Sequence, residues 1–427
     1  MAQETGFMVR ARKISPFQFL NSLMFSINDQ SKTSLVDIAA DIFKEFDIDI
    51  SKEALHKKFT PEAVDFLQNL LCQQMSQELD FCISEDLNEH FNSIKIKDST
   101  KYALPSIYEG DYPSFKNFSK KNGIMNLHYE YDLISGQWSS LAFTSIKEND
   151  QHNSKTTVNQ LEKGDLYIRD LGYVSPSYLA GVQQAEACFL NRMPPQANIY
   201  DAEEKNLSWT AIDKDFKKKG LTHLDIEGAI YEKHRIKCRI VITPVSKEEA
   251  RVRLKNAKAS AKSKAVGISK DHRIRCHYKV FITNADKEII SIDQIKETYR
   301  LRWQIELVFK TWKSFFSINK VKKVKKERLE CQLLAKLLWI IVNWDLFRIS
   351  NRYVRKISPE KGISTLKFFK KCNMFTYTLR KVMLKKMKLK NWLKSEFLPL
   401  IEYTLCEAKK SKPTSYEILN SFLTSLS

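Results

Sequence analysis

No stretch of this chain is apolar for long enough to suggest a membrane span. The longest apolar run of its second half, Leu333 to Phe347, is broken by Lys336 and Asp345, which leaves it too short and too charged to cross a bilayer. The opening residues, MAQETGFMVRARKISPF, lack the apolar core of a secretory signal. Cysteine is sparse as well, with 8 scattered residues and no CxxC pair. His272 and His277 flank Cys276, but no second cysteine lies close enough in sequence to complete a zinc site. A disulfide framework is excluded on this spacing, and reduced, buried thiols are expected. Internal repeats and low-complexity linkers are also missing. Acid is in short supply: 50 Asp and Glu face 70 Lys and Arg, for a formal charge of +20. Such a field draws polyanions, so nucleic acid and an anionic membrane surface are the two candidate partners. Without a signal core or a span, the expectation is a soluble intracellular protein, and nucleic acid is the favoured partner.

What is present argues for a folded chain of two or three domains. Its 427 residues are 43% hydrophobic and include 25 Phe, enough for at least one sizeable core. Residues 1–90 read as helical. Ser34 can cap a helix through Phe46, Ser51 a second, basic helix (KEALHKKF), and Thr60-Pro61 can open a third. This is the outline of a helix-turn-helix module, and also of many three-helix units that never touch DNA. From residue 91 the period changes to two, with Ile94 and Ile96 alternating with Lys95 and Lys97. Strands dominate first and helices alternate with them later, which describes an α/β domain with a mixed sheet. Residues 196–290 read as a β-rich insertion. From Lys320 to Lys394 the chain is very basic and still carries apolar residues at helical spacing, as in Leu333, Leu337 and Ile340.

Two Asp and one Glu stand out. Asp98 and Asp170 each follow an apolar strand, in IKIKDST and LYIRDLGYVS. They either cap turns or point into a crevice beside the sheet. Glu306 lies in YRLRWQIELVFKTWK, which has no Pro or Gly and reads as one continuous helix. Its apolar residues form one stripe, while Tyr299, Arg302, Glu306 and Lys313 fall at intervals of three, four and seven on another face. That face is either a solvated one with an Arg302–Glu306 pair, or a working one in which the carboxylate holds metal and the cations hold phosphates. Carboxylates from separate elements suit magnesium, a hard cation that binds oxygen. Two such ions would activate the attacking oxygen and stabilise the leaving one in phosphodiester displacement.

Taken together, the two strand-end motifs, a β-rich block and then Tyr299-x2-Arg302-x3-Glu306-x6-Lys313 resemble the DDE transposases of the insertion-sequence-four type. The resemblance covers roughly residues 30–350. It implies a ribonuclease H-like mixed-sheet catalytic core, formed by 91–195 and 291–320. The β-rich insertion would occupy 196–290, a helical DNA-binding domain 1–90 and a basic helical C-terminal domain 321–427. It implies Asp98, Asp170 and Glu306 as catalytic metal ligands for Mg2+ (two ions, with Mn2+ as a substitute). It also implies that Tyr299, Arg302 and Lys313 bind the element's end. Tyr278 and Trp209 are candidates to stack a displaced base. Many relatives carry Arg directly after the second Asp, where this chain has Leu171.

The expected function is cut-and-paste transposition on double-stranded DNA by a homodimer, in a bacterial cytoplasm and on the nucleoid. A metal-dependent nuclease without strand transfer, and a non-catalytic DNA-binding regulator, are the alternatives.

Overall fold

In the computed structural model, each strand that the two-residue period marks in the first half finds a partner. The structure describes residues 1–10, 13–26, 33–76, 90–115, 122–263, 265–358, 361–406, 415 and 417–419. The expected N-terminal and C-terminal domains therefore lie partly outside the described residues. Helices α1 (Pro16–Ser26), α2 (Leu35–Phe46), α3 (Lys52–His56) and α4 (Pro61–Ser76) come first. Ser34 and Ser51 cap α2 and α3 as expected, each accepting a bond from a backbone N–H of the first turn. The second of these helices is shorter than KEALHKKF, because the chain turns after His56 to bury Phe59 against Phe19.

The sheet begins with β1 (Ile94–Ala103), β2 (Ile124–Asp132) and β3 (Trp138–Ser145), an antiparallel meander. After α5 (Asp150–Thr156), β4 (Leu166–Arg169) pairs parallel with β1. After α6 (Pro176–Gln184), β5 (Cys188–Arg192) pairs parallel with β4. This is the expected ribonuclease H-like arrangement. The next segment carries β6 (Ile199–Asp201), α7 (Trp209–Lys219), β7 (Leu224–Ile230), β8 (Ile236–Pro244), α8 (Lys247–Ser263), α9 (Lys270–Arg275) and β9 (Tyr278–Thr283). Its strands do not stand apart as a separate block. They prolong the same sheet, giving nine strands in the order β3-β2-β1-β4-β5-β9-β8-β7-β6, with β9 antiparallel to β5. Then come α10 (Ile292–Arg300), α11 (Trp303–Ser314), the 32-residue α12 (Lys326–Ile357) and α13 (Thr365–Met383).

Both faces of the sheet are covered. On one, Ile94, Ile96, Tyr129 and Ile168 join Ile305, Val308 and Trp312 of α11 in a large apolar core. The Trp312 ring lies 4.8 Å from Tyr129 and 5.3 Å from Trp138, which pins α11 over β2 and β3. The N-terminal helices share this core with α12 and α13, and Arg380 of α13 holds Asp41 of α2 through two bonds of 2.6 Å. On the other face, Tyr167, Tyr178, Leu179, Phe189, Trp209 and Ile240 build a second core. No helix among the described residues is long and apolar enough to cross a membrane.

Candidate functional site

The site begins with a register. Lys97 opposite Arg169 is the last parallel pair of β1 and β4, so Asp98 and Asp170 are the next residues on neighbouring strands. Asp98 does not end its strand, as the sequence suggested. β1 continues to Ala103, supported by β2 alone, and Asp98 sits opposite Tyr129. What ends at this level is β4, which leaves β1 from Asp98 onward without a strand partner on that side. Asp170 caps the tight turn Leu171–Tyr173, its carboxylate accepting from the Gly172 N–H at 3.4 Å. The turn-capping reading thus describes Asp170, though not Asp98. A Cβ on Gly172 would meet Asp150 Oδ2 at 2.8 Å, so a larger residue there would push the Asp150 carboxylate aside.

The helix expected to run unbroken from Tyr299 to Lys313 is interrupted. Tyr299 lies in α10, Arg302 in the connecting turn, and Glu306 and Lys313 in α11. The ladder tightens to three-residue spacing through the bonds Leu301 N–H to Thr298 O, Arg302 N–H to Tyr299 O and Gln304 N–H to Leu301 O. No Pro or Gly marks this break; Leu301, wholly buried, occupies it. The four polar residues therefore span a bend rather than one straight face.

At the bend the three acids meet on one side chain. Arg302 Nη1 donates to Asp98 Oδ2 at 3.0 Å and Nη2 to Glu306 Oε1 at 2.5 Å, while Nε lies 3.7 Å from Asp170 Oδ1. The Arg302–Glu306 pair foreseen for a solvated face is present, and two aspartates extend it. Burial pushes the Asp98 carboxyl up to about 6, against the Ser99 N–H and Arg302, which pull it down. Burial works to lower the Arg302 pKa, but Tyr299 and the three acids outweigh it and the guanidinium is held more firmly charged. Beside this cluster, Asp98, Thr100, Glu306, Phe309, Lys310 and Lys313 line an open cleft of about 510 Å³. Lys313 Nζ donates to the Lys101 carbonyl at 3.4 Å. Among the described residues no three acids, histidines or cysteines are gathered as a ready-made metal cage. The donor set is nevertheless all carboxylate oxygen and already converges on one cation, the guanidinium, which fits a hard divalent ion.

Trp209 and Tyr278 are not brought to this cleft. They are 8% and 4% exposed, their rings stack at 6.2 Å in the second core, and Tyr278 Oη donates to Asp213 Oδ1 at 2.8 Å. A base placed on either ring would have to displace that packing. Trp303, the second residue of the Arg302-Trp303 dipeptide that contributes to the family resemblance, is 54% exposed.

Beneath the acids, on the opposite face of β1, lies a buried polar layer. Lys97 and Arg169 share the Glu130 carboxylate at 3.4 and 3.0 Å, and all three are almost fully buried. Burial pushes Lys97 down to about 8. Ser99 Oγ donates to Asp150 Oδ1 at 2.8 Å. His128, fully buried, contacts Tyr173 Oη at 2.7 Å and Asn126 Nδ2 at 2.9 Å. Burial holds His128 near 4, below the ordinary 6.5. The unfolded chain therefore takes up this proton first, and the stability present above pH 6.5 is lost as pH falls toward 4. The expected slope from this group is up to ~1.4 kcal/mol per pH unit. Urea denaturation at pH 7 and pH 5 should show a smaller loss in His128→Asn than in the unaltered protein; equal losses would remove His128 as the cause.

The family model described as a transposase DDE domain matches residues 89–342. The transposase for insertion sequence element IS231F of Bacillus thuringiensis subsp. israelensis is 31% identical over 382 residues, covering 84% of this chain and 79% of its own. The transposase for insertion sequence element IS1151 of Clostridium perfringens is 27% identical over 389 residues, covering 86% of this chain and 81% of its own. Among solved structures, the piggyBac transposase synaptic complex with hairpin DNA aligns with 97% of this chain and 82% of its own, at 9% identity and a TM-score of 0.45.

Proposed function

From the premise that this chain belongs to the DDE transposase family, we propose that it binds the terminal inverted repeats of an insertion sequence, cuts there and joins the freed strands to target DNA. The observation that carries this reading is the convergence of Asp98, Asp170 and Glu306 on a single cation at the mouth of a cleft lined by Lys310 and Lys313. These three acids would hold divalent metal, Mg2+ in the cell with Mn2+ as a substitute. When bound, two such ions supply Lewis-acid polarisation of the scissile phosphate and an activated oxygen nucleophile.

The chain's own residues do the rest. Lys313 and Lys310 face the phosphates as point charges, and Arg302 can grip one with two parallel bonds. Tyr299, just before the bend, borders the same group. In the first step, water oxygen forms a bond to phosphorus and the bond to the 3′-oxygen breaks, leaving a 3′-hydroxyl and a 5′-phosphate. In the second, that 3′-hydroxyl attacks a target phosphodiester, and the target's own 3′-oxygen leaves. Lys52, His56 and Lys57, exposed around α3, supply a basic surface for DNA further from the cleft. Two copies of the chain, one per end, would act together on DNA of the bacterial cytoplasm.

The test supplies a pre-cut element end, a supercoiled plasmid and Mg2+. Joining of the end to the plasmid supports the proposal. Metal-dependent cutting without joining would favour a nuclease on the same core, and binding with neither would favour a regulator; both would overturn it.

A further inference from the structure

Arg302 occupies the position a metal ion would need. Its guanidinium takes one oxygen each from Asp98 and Glu306 and faces Asp170, with one positive charge among three negative ones. The same oxygens cannot serve both cations. A guanidinium keeps carboxylates spread around its planar fork at hydrogen-bond distance, whereas Mg2+ draws its oxygens in to about 2.0–2.1 Å. Nor is the guanidinium fully satisfied, since Nε stays 3.7 Å from Asp170, beyond hydrogen-bond reach. Arg302 sits in a tight turn between two helices anchored by Leu301 and Ile305, so its side chain can leave by rotation while the backbone stays in place. A phosphodiester is the destination that compensates it best, because guanidinium and phosphate match in geometry and charge.

We propose that Arg302 is a latch on the metal site, competing with divalent cations for Asp98 and Glu306 until a DNA phosphate draws it away. Metal and DNA then bind with positive coupling, and the coupling is reciprocal. The chain alone holds metal weakly, so a cutting centre forms only where DNA is already seated. This inference rests on the reading of the three acids as metal ligands.

The test measures Mn2+ affinity directly, by the paramagnetic resonance of free Mn2+, on the full chain with and without a short element-end duplex. Without DNA, Arg302→Gln is expected to bind Mn2+ at least about tenfold more tightly than the unaltered protein, because a competing charge at contact distance is gone. The gain on adding DNA should be smaller in Arg302→Gln than in the unaltered protein. Arg302→Lys, which keeps the charge but cannot bridge the acids, should fall between the two and serves if the Gln variant does not fold. Affinity unchanged or weaker in both variants would overturn the latch. Glu306→Gln separates the two ideas. If it weakens Mn2+ binding while Arg302 variants do nothing, only the latch falls; if it leaves binding unchanged in every background, the acid triad itself falls.

Discussion

Glu306→Gln should abolish cleavage at the element end while leaving binding to that end nearly intact. Gln keeps the shape and helical preference of Glu, so α11 and its Trp312 anchor are undisturbed. It removes one of the three negative charges that converge at the site. Metal assistance to a phosphoryl transition state is worth several kcal/mol, and each 1.36 kcal/mol is tenfold in rate, so a loss of about 10³-fold or more is expected. On the proposed reading, binding rests on the basic surface and on Lys310 and Lys313, which the substitution does not touch. End-labelled duplex with Mg2+ measures the first quantity, and a mobility shift in Ca2+ the second. Cleavage within about tenfold of the unaltered protein would remove Glu306 from the triad.

Glu130→Gln should be strongly destabilising. Glu130 bridges Lys97 and Arg169, the one such carboxylate among the described residues, and all three are buried beneath the acids. Without it two cations face each other in a low-dielectric layer, and breaking a buried pair costs about 3–5 kcal/mol. A domain stable by ~5–15 kcal/mol loses much of its margin to such a change. The layer is not symmetrical, however. Lys97 is pushed down to about 8 by burial and so sheds its charge cheaply. Arg169 cannot shed its own, and it also lies over the Tyr178 ring at 4.5 Å. Lys97→Met should therefore be mild, leaving Glu130 to Arg169 alone. Urea midpoints decide the matter: equal losses in the two variants would mean that bulk, and not charge, holds the layer together.

That layer was hidden in the sequence although its residues were in plain view. Alternation of Ile and Lys in IKIK identified β1, but it normally puts the lysines in water. Here helices cover both faces, and Lys95 and Lys97 are buried on acids from Asp165 and Glu130 that periodicity cannot pair with them. Asp98, Asp170 and Glu306 stood out because each sits in a short motif, and the structure does bring all three to Arg302, although Asp98 lies inside its strand and not at its end. The bend at Leu301–Arg302 was not legible, since no Pro or Gly announces it and three-residue hydrogen bonds need none. Nor was the union of α2 with α13, because Arg380 reaches Asp41 across most of the chain's length. Trp209 and Tyr278 show the converse: an aromatic is conspicuous in sequence, yet burial decides whether its ring is available.

The seam between β5 and β9 carries a practical consequence. A strand at the margin of a sheet presents unpaired N–H and C=O groups, which recruit other chains. Here β5 is shielded because β9 zips onto it through Leu190, Asn191 and Arg192. The same β9 is the last strand before α10 and α11, which hold Arg302 in the turn between them and carry Glu306. A miniaturised version trimmed of residues 196–290 would thus bare the flank of β5 and cut the tether that delivers Glu306. It should precipitate or self-associate, and shortened derivatives for genome insertion are better sought in the loops than in this splint.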